Sequence, residues 1–183
     1  MLKYDLHCHS TASDGILTPT EVVLRAHEKG VNVLALTDHD TVAGVAEARQ
    51  QAESLGMRLI NGVEISTLWE NRSIHIVALG VDISHEKMTA LLAEQAKLRE
   101  IRAQEIGAKL EKIGVENAYA EAKKLAGNGE VTRAHYARHL VQIGKVSNDG
   151  QAFKRYLGQG KSAYVKPQWV DIPTTIDIIH QAG

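Results

Sequence analysis

Asp5-Leu6-His7-Cys8-His9-Ser10, running on into Thr11-Ala12-Ser13-Asp14-Gly15, is the stretch that decides the reading of this chain. Tyr4 to Leu6 reads as a short strand, and His7 and His9 stand two apart. On an extended chain, residues i and i+2 point to one face. Two imidazoles therefore leave the strand end side by side, at a spacing that lets both bind one metal ion. Asp14 follows in a polar turn that can bend back over them. Taken alone, a His-x-His pair fits two surface histidines equally well. The next strands tilt the reading, because they end in further ligand chemistry.

Thr18 is placed to cap a helix over 19–30, with Pro19 in its first position and Gly30 at its stop. Val31 to Thr37 is a nearly unbroken apolar run, the pattern of a strand covered on both faces, and it ends in Asp38-His39-Asp40-Thr41. A helix over 42–55 stops at Gly56. A third strand, 58–63, runs into Glu64-Ile65-Ser66, and a polar turn at Glu70-Asn71-Arg72 leads to a fourth, 74–79, with His75 near its start. Strand–helix alternation with continuous apolar strands predicts a parallel α/β sheet. His7 with His9, His39 and Glu64 then sit at successive strand ends, the way a β/α barrel gathers a site.

The composition is that of a globular domain, 44% hydrophobic and 23% charged. No apolar run approaches the roughly 18 residues a membrane span needs, and the chain enters a strand pattern at once, so neither a membrane nor a secretory signal is expected. Cys8 is the one cysteine, which excludes an intrachain disulfide and fits a reducing, cytoplasmic setting. It is expected to pack on the strand face opposite His7 and His9. The net charge of −1 gives no overall basic field for nucleic acid, a DNA duplex included, so anions must be held by a local cluster.

From Ser84 the pattern becomes helical. A long helix over 84–114 carries apolar residues at Met88, Leu91, Leu92, Leu98, Ile106, Leu110 and Ile113. Arg102 falls on that seam, and Arg99 lies one turn earlier; either they snorkel or they serve a ligand. A further helix over 115–128 follows. Thr132 caps another, ending near Ile143, with Arg133 and His135 in its first turn. Free N–H groups, a cation and a histidine at a helix start suit an anion. Residues 152–157 read as helical, 164–167 as extended, and Asp171 caps a last helix over 172–181. His27, His85, His139 and His180 fall away from the strand-end motifs and read as structural.

The motifs Asp-Leu-His-Cys-His-Ser-Thr-Ala-Ser-Asp-Gly, Thr-Asp-His-Asp, Gly-Val-Glu-Ile-Ser and Ile-His-Ile-Val-Ala-Leu resemble the opening motifs of the PHP (polymerase and histidinol phosphatase) phosphoesterases. Val-Thr-Arg-Ala-His-Tyr-Ala-Arg, Tyr-Leu-Gly-Gln-Gly-Lys and Tyr-Val-Lys-Pro-Gln-Trp resemble the ribonuclease AM branch, also described as 3′,5′-nucleoside bisphosphate phosphatases. The resemblance implies a distorted (β/α)7 barrel: 1–83 its N-terminal part, 84–170 a helical insertion, 171–183 the start of the return to the barrel. It also implies a site for up to three metals, usually manganese. His7, His9 and Glu64 would bind the first, Glu64 and His75 the second, Asp14 and His39 the third. Imidazole and carboxylate without thiolate suit manganese, iron or zinc better than calcium. Asp38 and Asp40 are candidates to orient ligand imidazoles, or simply caps for the following helix.

The implied activity is hydrolysis of nucleotide phosphate esters, 3′,5′-bisphosphates or RNA 5′ ends, by a metal-bridged hydroxide. Arg99, Arg102, Arg133 and His135 are the candidates for gripping the phosphate. Two readings compete: a non-catalytic PHP-like metal-binding module, and a small-metabolite phosphatase of the histidinol phosphate kind. One departure stands out. The family's later Ala-His-Pro and Asp-x-His motifs, each supplying further ligands, are absent here, so residues 1–183 are expected to be an N-terminal piece, inactive alone.

Overall fold

The computed structural model describes residues 1–70 and 72–183. Two compact units make up the chain, Met1–Ala96 with Trp169–Gly183, and Lys97–Gln168.

In the first unit, β1 (Tyr4–Cys8), β2 (Val33–Leu36) and β3 (Arg58–Trp69) form a parallel sheet, linked by α1 (Pro19–Glu28) and α2 (Val45–Ser54). Thr18 caps α1 as its sequence requires. Its hydroxyl accepts from the Glu21 N–H, and the Glu21 carboxylate accepts from the Thr18 N–H at 2.8 Å. A cap of this kind contributes about 1 kcal/mol. Val23, Leu34, Ala48 and Ala52 are fully buried where the helices cover the sheet. Each Val or Leu buried this way is worth about 1.5–3 kcal/mol.

The strand β4 (Arg72–Leu79) corrects the expectation of an all-parallel sheet. It pairs antiparallel with β3 from Gly62↔Leu79 to Trp69↔Arg72, and β3 is twice the length its apolar run suggested. The turn expected at Glu70-Asn71-Arg72 includes Asn71, which lies outside the described residues; Glu70 has a left-handed φ of 54°. A short strand β5 (Val170–Asp171) lies parallel to the far end of β3. Val63, Ile65 and Ala78 pack with Met88, Leu91, Leu92 and Ala182 into a second core. These come from the start of α3 (Glu86–Glu111) and from behind α7 (Ile172–Gln181), which Asp171 caps through the Thr174 N–H.

The second unit is helical: the rest of α3, α4 (Ala118–Ala126), α5 (Arg133–Gln142) and α6 (Asp149–Ala152). Its core joins Ile106, Leu110, Ala118, Tyr136, Leu140 and Leu157. Residues 153–157, expected as plain helix, form a π-helical turn. Such turns are rare, and the wider i→i+5 spacing is not written in the apolar period.

Candidate metal centre

Glu64 is the middle of the site. The parallel ladder from β2 runs on past the strand end: Asp40 N–H donates to the Glu64 carbonyl and Glu64 N–H to the Asp38 carbonyl, which sets His39 beside Glu64. The carboxylate is 6% exposed at residue level. Its Oε2 lies 2.7 Å from His7 Nε2, 3.0 Å from His9 Nε2 and 3.7 Å from His39 Nδ1; its Oε1 lies 2.8 Å from His75 Nδ1. Asp14 stands 3.7 Å from His9 Nδ1 and 3.8 Å from His39 Nε2. Burial would raise the Glu64 pKa, but hydrogen bonds with His75 and His9, the charge of His39 and the bond with His7 outweigh it and hold the carboxyl far below the usual range.

The six candidate ligand residues, His7, His9, Asp14, His39, Glu64 and His75, thus come together. Their ligand atoms form three groups: His7, His9 and Glu64; His9, Asp14 and His39; His39, Glu64 and His75. Within each, the ligand atoms lie within 4.8 Å of one another, as a shared cation needs. His9, His39 and Glu64 each belong to two groups, so the groups are fused rather than separate. This donor set of imidazole nitrogens and carboxylate oxygens fits borderline divalent cations. Cys8 is not part of it. Its Sγ donates to the Ala35 carbonyl at 3.2 Å, and burial, followed by the charges of Asp5 and Asp38, pushes the thiol up to about 12.

Asp38 and Asp40 are buried, not surface caps. Asp38 accepts from Ser10 N–H at 2.7 Å, from Ser10 Oγ at 2.7 Å and from Ser13 Oγ at 2.6 Å, so it ties down the loop that carries Asp14. Gly15 closes that loop, where a Cβ would come within 2.5 Å of the His9 carbonyl oxygen. Asp40, with a left-handed φ of 52°, accepts from Ser66 N–H and from Gln95 Nε2. Gln95, fully buried, also donates to the Ser66 carbonyl and accepts from Val170 N–H. It braces the strand carrying Glu64, and the sequence reading missed it. The signal was there: Gln95 occupies an apolar-seam position between Leu92 and Leu98.

In the second unit, Arg99, Arg102 and Arg133 form a cationic cluster. Burial, then the charges of Arg133 and Arg99, lowers Arg102 to about 10; burial and Arg99 also lower Arg133. Arg102 Nε donates to the Val165 carbonyl, and Arg99 is 7% exposed, so neither is a snorkelling surface residue. His135, the candidate beside Arg133 in the first turn of α5, has a capping role as well. It is buried, and its Nδ1 accepts from the Thr132 N–H at 3.0 Å, filling the capping-box position usually held by Glu or Gln.

The PHP domain matches residues 5–144. The chain is 71% identical over 181 residues to a 5′-3′ exoribonuclease of Haemophilus influenzae, covering 99% of this chain and 66% of that protein. It is 41% identical to a 3′,5′-nucleoside bisphosphate phosphatase of Chromobacterium violaceum, covering 100% and 65%. A crystal structure of a putative metal-dependent phosphoesterase from Bifidobacterium adolescentis superposes with a TM-score of 0.93 at 27% identity, covering 100% of this chain and 64% of that one. The chain thus spans about two thirds of the length of the curated relatives it matches. With the opening motifs matched, and six of their side chains gathered about Glu64, the chain belongs to the PHP domain family.

Proposed function

We propose that this chain carries the metal-binding part of a phosphoesterase that hydrolyses nucleotide phosphate esters, 3′,5′-nucleoside bisphosphates and RNA 5′ ends. The observation that carries the reading is the fused set of three ligand groups around one carboxylate. The names of the relatives support the substrate class. Divalent cations held there, manganese first, would activate water near neutral pH and draw off charge from phosphoryl oxygens.

The chain's own residues have distinct tasks. Glu64, His9 and His39 each serve two ligand groups and so fix their spacing. Asp38 and Gln95 hold the ligand-bearing loop and strand. Arg99, Arg102 and Arg133 crowd three guanidiniums whose mutual repulsion a bound phosphate relieves. His135 shapes the helix start that carries Arg133. We place the protein in the cytoplasm, in keeping with its lone free cysteine; no helix among the described residues is long and apolar enough to cross a membrane.

The test is phosphate release with added manganese, zinc or iron from adenosine 3′,5′-bisphosphate, 5′-phosphorylated short RNA and histidinol phosphate. It is run on residues 1–183 and on the full gene product. Turnover of the first two and not the third is expected of the gene product. Metal uptake without turnover of any ester would support a binding module instead.

A further inference from the structure

We propose that the segment Phe153–Lys166 binds single-stranded RNA beyond the nucleotide whose phosphate the arginines hold. The proposal rests on the phosphate-binding reading of Arg99, Arg102 and Arg133.

The near-neutral total conceals a segregation of charge. The unit Lys97–Gln168 contains fourteen Lys and Arg against seven Asp and Glu, a surplus of seven positive charges; the rest of the chain has seven against fifteen. Within that unit the surplus gathers late. No acidic residue occurs between Asp149 and Asp171, while Lys154, Arg155, Lys161 and Lys166 alternate with Phe153, Tyr156 and Tyr164. A solvated basic face is normally interspersed with acids; this one is interspersed with rings.

The structure ties the segment to the arginine cluster at both ends. The Arg133 guanidinium lies over the Phe153 ring, 5.4 Å from its centroid. At the other end, the Tyr164 carbonyl accepts from Lys109 Nζ at 2.6 Å, and the Val165 carbonyl accepts from Arg102 Nε at 3.1 Å. Between them, the π-helical turn presents Lys154 and Arg155 to solvent, with Arg155 over the Tyr156 ring at 5.2 Å. Lys161 and Lys166 are exposed, and Phe153, Tyr156 and Tyr164 are half-buried, fixed yet partly open. Cations that track a backbone, alternating with anchored rings on which bases stack, are the elements of a sequence-tolerant single-strand site. A duplex would keep its base faces stacked and offer nothing to the rings.

The experiment is fluorescence anisotropy on the chain in EDTA, so that no strand is cut. Probes are 3′-labelled, 5′-phosphorylated oligoadenylates of two, four and eight nucleotides, with adenosine 3′,5′-bisphosphate as competitor. Affinity should rise about tenfold with length, and steepen in salt dependence by about 0.7 log units per added phosphate contact. The double variant Lys154→Gln, Lys161→Gln should lose the length dependence, keep its melting temperature and bind the bisphosphate as before. Length-independent binding by the wild type, or length dependence that survives in the variant, overturns the proposal. Equal length dependence on single-stranded DNA overturns the assignment to RNA. If the bisphosphate itself does not bind, the phosphate-binding reading fails first, and that result is distinct from the others.

Discussion

Glu64 Oε1 and His75 Nδ1 lie 2.8 Å apart across two strands that run in opposite directions. The register pairs Ser66 with His75 and Glu64 with Val77, so a residue near the start of β4 arrives at the site end of β3. Because Glu64 serves two ligand groups, Glu64→Gln should weaken manganese binding by more than about 100-fold, exceeding the usual effect of changing a mere ligand partner. Calorimetric titration with manganese checks this; a variant that binds like the wild type would remove Glu64 from its shared role.

Asp38→Ala should loosen the loop of Asp14. It leaves Ser10 N–H and two serine hydroxyls, all buried, without their acceptor. The expected loss is about 3 kcal/mol of stability. Manganese stoichiometry should fall at the His9–Asp14–His39 group before the other two. Asp38→Asn, which keeps one acceptor oxygen, should recover part of both. Equal loss at all three groups would mean that Asp38 acts on the fold at large.

Gly107→Ala should destabilise the second unit even though alanine is the better helix former. An added Cβ would meet the Tyr119 Cβ at 2.6 Å, so α3 and α4 would have to part. Propensity would return about 1 kcal/mol, against about 1–3 kcal/mol for overpacking. Urea unfolding decides the sign.

Tyr136 donates to the Ala103 carbonyl at 2.6 Å, and burial, with Tyr119 and Glu100 nearby, raises its phenol well above the ordinary value. A group whose folded pKa is raised contributes fully below its unfolded pKa, about 10 for tyrosine. That contribution is lost as pH climbs through the folded value. The wild type should therefore lose stability above about pH 10. Tyr136→Phe should be about 1 kcal/mol less stable at neutral pH and show a smaller alkaline loss. Denaturant melts at both pH values test it; identical alkaline losses would mean that another group is responsible.

Most of the candidate ligands were legible because they stand in short polar sequences at or beside an expected strand end: His7 within the end of β1 and His9 past it, His39 after β2, and Glu64 where the apolar run of β3 gives way to polar residues. His75 was legible as a residue but not in its direction. Antiparallel pairing of β3 and β4 leaves no mark in an apolar period, and a hairpin and a crossover share the same strand pattern. Asp38 was harder. Its partners Ser10 and Ser13 look like ordinary loop serines, and only the fold shows them buried beneath the loop. Arg102 announced itself by standing on an apolar seam, and Gln95 did the same three residues before Leu98 without being read. The capping role of His135 was not legible, because a histidine at a helix start suits an anion and a capping box equally well.

The uneven distribution of charge also governs how the molecule meets a charged surface. A protein with a net charge of −1 should pass through ion-exchange resins of either sign. Here each compact unit presents its own sign, seven positive on one and eight negative on the other. Anion- and cation-exchange columns should both retain the chain at low ionic strength, each by a different unit, and release it within the salt range where the screening length shrinks to about 10 Å. A polyanionic resin competes with RNA for the basic unit, so chain already carrying cellular RNA fragments should leave in the flow-through, where a raised ratio of absorbance at the nucleotide to the protein maximum would report them.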